Sequence, residues 1–348
     1  MNETPLPPAP AFSSIDESAL PGPDDVERAA VELAGQVLLT PVFRAPALER
    51  PGRARLWLKA ENLQLAGSYK IRGATLAVGR SAARGVQGVI AQSTGNHAIA
   101  VAQAAGRFGL SATVVLPVDA SPAKVARARA AGAHVIQAGH SLEERLATVE
   151  RLSQATGFTV IDAFDQADVV AGQGTASREL LAQADGLDTL VVPVGGGGGI
   201  AGACLAAAGL GISVIGVEPV GCDSLAQSLA AGRPVRVDPA ATLADGLRPA
   251  QVGRIPFAIA RTGVERVLTV DDDEIGKAVY SLMFQAGILA EPSAAAALAG
   301  ALRIADEEPE RTIGVLLTGG NAEPSVIRGL IDRLGTKGAG LNAGPVAG

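Results

Sequence analysis

Short apolar runs and amphipathic stretches alternate along the chain from Val86 onward. The runs "VQGVIAQ", "SATVVLP" and "HVIQA" predict strands, because they are apolar and short. The stretches that separate them, "NHAIAVAQAAGRFG" and "SPAKVARARAAGA", predict helices. This succession of strand, helix and strand predicts a parallel sheet with helices on both faces.

Several of the predicted helices have recognisable ends. Ser121 is a helix cap with Pro122 at the first helical position. Ser141 and Glu144 form a capping box, and Gly157 closes the helix that this box opens. These signals place helix boundaries within the region of alternating runs.

The pattern continues to the end of the chain. A further helix is predicted over residues 172–184. Further strands are predicted in "ARLWLKA", "FTVIDAF", "LDTLVVPV", "SVIGVE" and "RTIGVLLT". No unit of about 20–50 residues recurs, which argues against a solenoid.

Composition and charge exclude several classes of protein. The 348 residues suggest two domains, and 48% hydrophobic with 18% charged residues is typical of a globular protein. The net charge of −6 predicts no nucleic-acid partner, and no apolar run is long enough to span a membrane. The N-terminal segment is acidic and proline-rich without an apolar signal core, which predicts a flexible tail and a cytoplasmic protein. Two cysteines and three scattered histidines do not favour a zinc site.

Lys70 is the first residue with unusual surroundings, in the segment "GSYKIRGA". Ser68 is the predicted cap of a helix whose first turn contains Lys70, and a helix N-terminus disfavours a cation. Burial there would favour the neutral amine, the form that reacts with a carbonyl group. The alternative is an ordinary lysine whose ammonium group extends into solvent.

A run of glycines follows a predicted strand and precedes a predicted helix, in "PVGGGGGIAG". Such a run exposes backbone N–H groups at a helix N-terminus and predicts a phosphate site. The run consists of Gly195, Gly196, Gly197, Gly198 and Gly199. One alternative is a flexible turn. Another is a dinucleotide fingerprint made by Gly197, Gly199 and Gly202, with Glu218 as the acidic residue that follows.

Two polar loops complete the predicted site. "STGNH", residues 93–97, offers two hydroxyls and an amide at a helix N-terminus, and "TGGN", residues 318–321, offers the Thr318 hydroxyl. Polar groups of this kind suit a carboxylate or the substituents of a ring. A reactive lysine, a phosphate site and such loops together predict pyridoxal 5′-phosphate, bound covalently to Lys70.

These segments, in this order, resemble the fold-type II pyridoxal-phosphate enzymes of the serine/threonine dehydratase (threonine ammonia-lyase) and serine racemase group. The resemblance extends from about residue 38 to residue 325 and includes "EPSAAAAL" and "GQGTASREL". It implies an α/β fold like that of the tryptophan synthase β-subunit, with the cofactor between a large and a small domain. The implied large domain is 23–85 and 159–335, the small domain is 86–158, and 1–22 and 336–348 are flexible tails.

The resemblance also implies a role for each site residue. Lys70 is the Schiff-base lysine and the base at Cα, and Asn96 binds the 3′-oxygen of the cofactor. The glycine run binds the phosphate, and Thr318 faces the pyridine nitrogen. The substrate carboxylate is bound by the segment Ser93, Thr94, Gly95, Asn96 and His97.

Four positions depart from the family pattern. Tyr69 replaces the commoner Phe, and Gly199 replaces Leu or Met, which implies looser packing beneath the cofactor. Thr94, the second candidate catalytic residue beside Lys70, stands where racemases have a second serine, on the face opposite the lysine. Ser224 stands where metal-binding relatives have a carboxylate, so a cation near Glu218 is left open.

The expected activity is β-elimination from L-threonine or L-serine, which gives 2-oxobutanoate or pyruvate and ammonia. The alternatives are a serine racemase, a dehydratase of another 3-hydroxy amino acid such as 3-hydroxyaspartate, and an NAD-dependent oxidoreductase. Because many relatives are homodimers, a homodimer is expected. No C-terminal regulatory domain is expected after the last matched segment.

Overall fold

The computed structural model describes residues 20–93 and 95–335. Thr94 and most of the two predicted tails lie outside this part of the chain. The α-helices are α1 Pro23–Leu33, α2 Lys70–Ala83, α3 Asn96–Arg107, α4 Pro122–Ala130, α5 Leu142–Thr156, α6 Ala167–Gln183, α7 Gly198–Ala207, α8 Ser224–Ala231, α9 Arg254–Gly263, α10 Asp272–Phe284, α11 Pro292–Glu307 and α12 Pro324–Gly335. The strands are β1 Val42–Arg44, β2 Arg55–Ala60, β3 Gly88–Gln92, β4 Ser111–Leu116, β5 His134–Gln137, β6 Thr159–Val160, β7 Thr189–Pro193, β8 Ser213–Pro219, β9 Arg266–Val270 and β10 Thr312–Leu317.

The strands form two separate sheets. The larger has six strands in the order β1-β2-β10-β7-β8-β9, and the smaller has four in the order β5-β4-β3-β6. All neighbouring strands are parallel except β1, which is antiparallel to β2. The predicted α/β architecture with parallel and mixed sheets is therefore confirmed.

Helices cover both faces of each sheet, which explains why central strands such as β3, β7 and β10 are almost completely buried. In the larger sheet, Val191 packs with α10 and α11, while its neighbours Leu190 and Val192 pack with α6, α7 and α9. In the smaller sheet, Val89 packs with α2 and α3, and Ile90 packs against Val149 of α5. Strands buried on both faces need apolar side chains at every position rather than at alternate ones.

The predicted helix caps are confirmed. Ser121 Oγ accepts the N–H of Lys124 at 3.4 Å, and Ser141 Oγ accepts the N–H of Glu144 at 3.1 Å. Gly157 has the left-handed conformation, with φ of 70°, that ends a helix.

Two predicted boundaries are wrong. The segment "FTVIDAF" contributes only Thr159 and Val160 to the smaller sheet, and α6 begins at Ala167 rather than at Gly172. Asp162 explains both differences, because its Oδ1 accepts the N–H groups of Phe164 and Asp165 and turns the chain out of the sheet. An apolar run cannot reveal this turn.

Candidate active site

A cavity of about 1040 Å³ lies where the loops after β3, β6, β7 and β10 converge. Ligands bind at this edge in open α/β sheets, because the loops that follow parallel strands meet there. The cavity brings together every predicted site residue in the described part of the chain. They are Lys70, Ser93, Gly95, Asn96, His97, Gly195, Gly196, Gly197, Gly198, Gly199 and Thr318.

Lys70 is the first residue of α2, and its side chain points into this cavity. Its Nζ donates to the carbonyl oxygen of Ala163 at 2.7 Å and lies 5.6 Å from the centroid of the Tyr69 ring. Burial lowers the pKa of Lys70 to about 8, and the charge of Asp162 opposes that shift only in part. The predicted neutral amine is therefore accessible near neutral pH.

The chain before Lys70 is held against the end of β10. Ser68 forms an isolated β-bridge with Gly319, and the N–H of Tyr69 donates to the carbonyl oxygen of Thr318 at 2.9 Å. The predicted cap at Ser68 is wrong, since Tyr69 is the cap residue and the buried Ser68 hydroxyl has no partner among the described residues. Ser68 instead has the extended backbone that the bridge to Gly319 requires, and this bridge places Lys70 beside Thr318.

The glycine loop (residues 195–199) connects β7 to α7. Gly197 is the cap residue of α7 and has φ of 92°, in the left-handed region that favours glycine. A Cβ atom at Gly196 would overlap the ring of Phe164, and one at Gly195 would lie 3.0 Å from the carbonyl oxygen of Gly246. Glycine is therefore required for packing, and the first N–H groups of α7 are left without intrahelical partners at the cavity.

Glu218, the acidic residue of the alternative dinucleotide site, is already engaged in hydrogen bonds with backbone N–H groups of the protein. Its carboxylate is buried and accepts the N–H groups of Leu225 at 2.8 Å and Ala226 at 2.9 Å, at the N-terminus of α8. Burial raises the pKa of Glu218 to about 8 despite these hydrogen bonds. A carboxylate engaged in this way is not free to bind a ribose, which argues against the dinucleotide alternative.

Metal ligands are also not grouped in this region. Within residues 20–93 and 95–335, no three His, Cys, Asp or Glu side chains lie close enough together to hold an ion. Ser224, beside Glu218, is buried and its hydroxyl has no partner in the same part of the chain.

Asn96 belongs to a network that the sequence analysis did not assign. Its Nδ2 donates to Glu291 Oε1 at 2.7 Å, and its Oδ1 accepts Nδ2 of Asn321 at 2.8 Å. Burial raises the pKa of Glu291 to about 7, partly offset by the hydrogen bond from Asn96. Glu291 and Asn321 lie in the segments "EPSAAAAL" and "LLTGGN", which carry the family resemblance and could have identified both residues as site candidates. Their contact with Asn96 depends on the tertiary structure, and no local pattern predicts it.

His97 and Ser93 are the other described polar residues near the N-terminus of α3. His97 Nε2 lies 2.9 Å from the carbonyl oxygen of Ile161, so Nε2 bears the hydrogen and Nδ1 is an acceptor. Burial and the charge of Lys70 lower the pKa of His97 to about 4, which keeps the ring neutral. Ser93 Oγ accepts the N–H of Gly95 at 3.3 Å. Thr94 lies outside the described residues.

These residues fit pyridoxal phosphate. A glycine loop at a helix N-terminus suits its phosphate, a lysine with a lowered pKa suits its aldehyde, and Thr318 supplies a hydroxyl at the end of β10.

Comparison with known proteins identifies the class. Residues 33–319 match the family model of pyridoxal-phosphate dependent enzymes, and the chain belongs to this family. The match confirms the predicted cofactor.

Three similar proteins show which members of the family this chain resembles. It is 38% identical to the L-threo-3-hydroxyaspartate ammonia-lyase of Saccharomyces cerevisiae over 86% of this chain and 93% of that protein. It is 35% identical to a serine racemase of Oryza sativa over 87% of this chain and 91% of that protein. The solved structure of the T.th. threonine deaminase superposes with a TM-score of 0.82 at 39% identity, over 87% of this chain and 99% of that one. These relatives confirm the predicted group, its fold and a pyridoxal-phosphate-dependent lyase.

The length and composition of the helices determine whether any of them could cross a membrane. Among the described residues, no helix combines the length and the apolar character that crossing a bilayer requires.

Proposed function

We propose that the protein is an ammonia-lyase that acts on L-serine or L-threonine. The β-hydroxyl and the Cα proton leave as water, and the released enamine takes up water to give pyruvate or 2-oxobutanoate and ammonia. The observation that best supports this reaction is the Lys70 amine, whose pKa is lowered to about 8, in one cavity with the glycine loop. When bound, the cofactor supplies the electron sink that makes the Cα proton acidic.

Lys70 is the proposed base at Cα. Its hydrogen bond to the Ala163 carbonyl oxygen orients the amine without holding it protonated, since an uncharged carbonyl group stabilises the ammonium form less than a carboxylate would. With a pKa of about 8, a useful fraction of the amine is unprotonated at neutral pH. A base with a pKa near the working pH transfers protons most effectively.

Asn96 and Thr318 are proposed to orient the ring of the cofactor. The Asn96 amide has a fixed orientation because Glu291 and Asn321 hold its two ends. Its Nδ2 retains a second hydrogen, which is available to the 3′-oxygen. Thr318 is proposed to face the ring nitrogen, where a hydroxyl, unlike a carboxylate, does not hold that nitrogen protonated. The weaker electron sink favours elimination over transamination.

The substrate carboxylate is proposed to bind at the N-terminus of α3, through the Ser93 and Thr94 hydroxyls and the N–H groups of residues 95–97. His97 supports this segment through its hydrogen bond to Ile161. Because its Nδ1 is an unprotonated acceptor, the ring itself would repel a carboxylate there. His97 is therefore proposed as a residue that positions the loop.

A second candidate substrate is 3-hydroxyaspartate, and two arginines favour it. Arg127 of α4 and Arg145 of α5 line the cavity, and neither forms an ion pair with a described carboxylate. Arg145 Nε is buried without a partner in the described chain, while its Nη1 donates to the His140 carbonyl oxygen at 3.3 Å. Because Arg145 lines the cavity and has no described carboxylate partner, its guanidinium group could bind a second substrate carboxylate.

A substrate panel tests both candidates. The purified protein with pyridoxal phosphate is incubated with L-serine, L-threonine and L-threo-3-hydroxyaspartate, and 2-oxo acids and ammonia are measured. If Arg145 binds a second carboxylate, Arg145→Gln lowers kcat/KM for the dicarboxylic substrate about 10- to 100-fold and leaves L-serine within about twofold. Arg145→Lys serves as the charge-preserving control. Equal losses on all substrates would reject the assignment, and no 2-oxo acid from any substrate would reject the lyase proposal.

The division into a large domain (23–85 and 159–335) and a small domain (86–158) is also proposed, because the cavity is lined by loops that follow strands of both sheets. Hydrogen exchange that slows in both ranges when cofactor is added is the expected result.

We further propose a homodimer in the cytoplasm. Leu39, Leu63 and Leu289 are more than half exposed, and a hydrogen bond from Asn62 Nδ2 to the Leu289 carbonyl oxygen joins two of these segments. Exposed apolar side chains in adjacent segments are typical of an interface. The two cysteines are unpaired, which suits a reducing compartment. Light scattering of wild-type protein and of Leu63→Asp distinguishes a dimer from a monomer.

A further inference from the structure

The side chain of Tyr69 extends from the residue before Lys70 to the glycine loop. Only 9% of Tyr69 is exposed, and it lines the cavity together with the loop. A Cβ atom placed on Gly199 would lie 2.8 Å from Tyr69 Oη and 3.1 Å from Tyr69 Cε2. The phenol therefore occupies the volume that a larger residue at position 199 would need.

This contact corrects one expectation from the sequence. Tyr69 and Gly199 were expected as two separate departures, with looser packing at Gly199. The structure joins them into one arrangement, because the hydroxyl of Tyr69 fills the room that the missing side chain of Gly199 leaves. Gly199 has no positive φ, so backbone conformation does not require glycine there. Glycine is needed at position 199 because the Tyr69 side chain leaves too little room for a Cβ atom there.

The Tyr69 ring is buried, but its hydroxyl makes no hydrogen bond with the described residues and is accessible from the cavity that Tyr69 lines. A hydroxyl in this position is free to bond to a ligand in the cavity. Burial, with the nearby charges of Glu291 and Glu61, raises the pKa of Tyr69, so the phenol stays protonated and can donate. It ends beside Gly199, the second residue of α7, where the first N–H groups of the helix also lack intrahelical acceptors.

We propose that the Tyr69 hydroxyl donates a hydrogen bond to the phosphate group bound by the glycine loop, and that Gly199 is glycine to admit this hydroxyl. The proposal rests on the proposed assignment of residues 195–199 as the phosphate site. It adds a side-chain donor to a loop whose own donors are backbone N–H groups. The chemical group recognised is a phosphate monoester or free phosphate.

The first experiment measures ligand binding to the full-length apoprotein by fluorescence titration. Tyr69→Phe is expected to weaken pyridoxal phosphate about tenfold, the effect of losing one hydrogen bond to a charged acceptor. Pyridoxal, which has no phosphate, is expected to bind equally to both proteins. Inorganic phosphate is the third ligand, and its competition with pyridoxal phosphate is expected to weaken in the same variant.

The second experiment tests the shared volume by a double-mutant cycle on urea unfolding of the apoprotein. Gly199→Ala is expected to lower the unfolding midpoint in the wild-type background and to do so much less in the Tyr69→Phe background. Gly329→Ala is the control, because a Cβ at this helical glycine of α12 meets nothing within 4 Å. Its effect should be the same in both backgrounds.

Two outcomes overturn the proposal. Equal weakening of pyridoxal and pyridoxal phosphate by Tyr69→Phe would show that the hydroxyl does not contact the phosphate. Equal effects of Gly199→Ala in both backgrounds would show that the two residues do not share one volume. Either result leaves the proposed lyase intact if wild-type protein still forms 2-oxo acids, so the two failures are distinguishable.

Discussion

At the scale of single residues, the surroundings of two lysines separate a reactive amine from a structural one. Lys70 and Lys59 both have a lowered pKa because of burial. Lys59 Nζ, however, is paired with Glu179 at 2.6 Å and also donates to Gln183 and to the Thr40 carbonyl oxygen. Lys70 donates to the Ala163 carbonyl oxygen, forms no ion pair within the described chain, and opens on the cavity. Of these two lysines, Lys70 is therefore the one free to react.

Borohydride reduction of the holoenzyme should attach the cofactor to Lys70, as detected by peptide mass spectrometry. Lys70→Ala should lower kcat by roughly 10²–10⁴-fold, because the Cα proton loses its base. The rate at which apoprotein binds cofactor should rise as the pH increases through about 8, where the folded Lys70 amine loses its proton. Lys59→Met is the control for altered folding, and a label on Lys59 would contradict the assignment.

Thr94 sets a second expectation, which rests on the sequence because this residue lies outside the described part of the chain. Racemisation needs an acid on the face of the substrate opposite Lys70. The β-branch of a threonine restricts χ1, and a methyl group at that position would be expected to crowd the substrate. With L-serine, pyruvate should therefore form at least about ten times faster than D-serine, and Thr94→Ser should raise the D-serine share.

Chiral chromatography beside a pyruvate assay measures both products. Thr94→Val is the matched control, because it retains the shape and lacks the hydroxyl, so it should not raise the D-serine share. A predominance of D-serine from the unmodified protein would favour the racemase alternative instead.

At the scale of elements, a buried ion-pair cluster holds α2 against α6 and the chain after β2. Arg72, fully buried, donates to both carboxylate oxygens of Glu61 at 2.7 and 2.8 Å and to both of Glu179 at 2.7 Å. Arg72 lies two residues after Lys70, so this cluster also sets the position of the reactive amine. Breaking such a cluster leaves unpaired buried charges.

Arg72→Met should lower the free energy of unfolding by roughly 3–5 kcal/mol, because buried Glu61 loses its ion-pair partner and Glu179 keeps only Lys59. Urea unfolding of the apoprotein measures this loss. The control is Arg80→Met in the same helix, since Arg80 pairs with Glu32 and Asp168 in a partly exposed site. Its loss should be at most about 1 kcal/mol for each pair. Similar losses in both variants would contradict the assigned role of the cluster.

At the scale of the whole molecule, the site exists only where the two sheets meet. Asn96 begins the helix that follows β3 of the smaller sheet. Glu291 precedes α11 and Asn321 follows β10, so both belong to the part of the fold that contains the larger sheet. The hydrogen bonds among these three side chains therefore join the two parts of the fold across the cavity. A titrating carboxyl group lies at their junction.

Glu291→Gln should flatten the pH dependence of apoprotein stability between about pH 4.5 and 7. The folded pKa of Glu291, about 7, lies above its usual 4.5, so folding favours the protonated form. The stability from this group is thus complete below about pH 4.5 and is lost as the pH rises through about 7. The unfolding midpoint measured against pH tests the sign, with exposed Glu310→Gln as the control. An unchanged slope in the Glu291 variant would contradict it.

Local physics determined much of this protein from its sequence. The alternation of apolar runs predicted the parallel sheets, and the caps at Ser121 and Ser141 were correct, because periodicity and capping act within one or two turns of chain. The glycine loop and Lys70 were recognisable for the same reason, since one short segment contains all the residues of each motif.

Tertiary structure decided the features that join distant segments. The Asp162 turn shortened a predicted strand, and the bridge to Gly319 removed the predicted cap at Ser68. The contact of Tyr69 with Gly199 and the link from Asn96 to Glu291 span more than a hundred residues of chain. Burial that only the folded chain creates sets the pKa of Lys70. Such contacts depend on how elements pack, and packing is a property of the whole fold rather than of any local pattern.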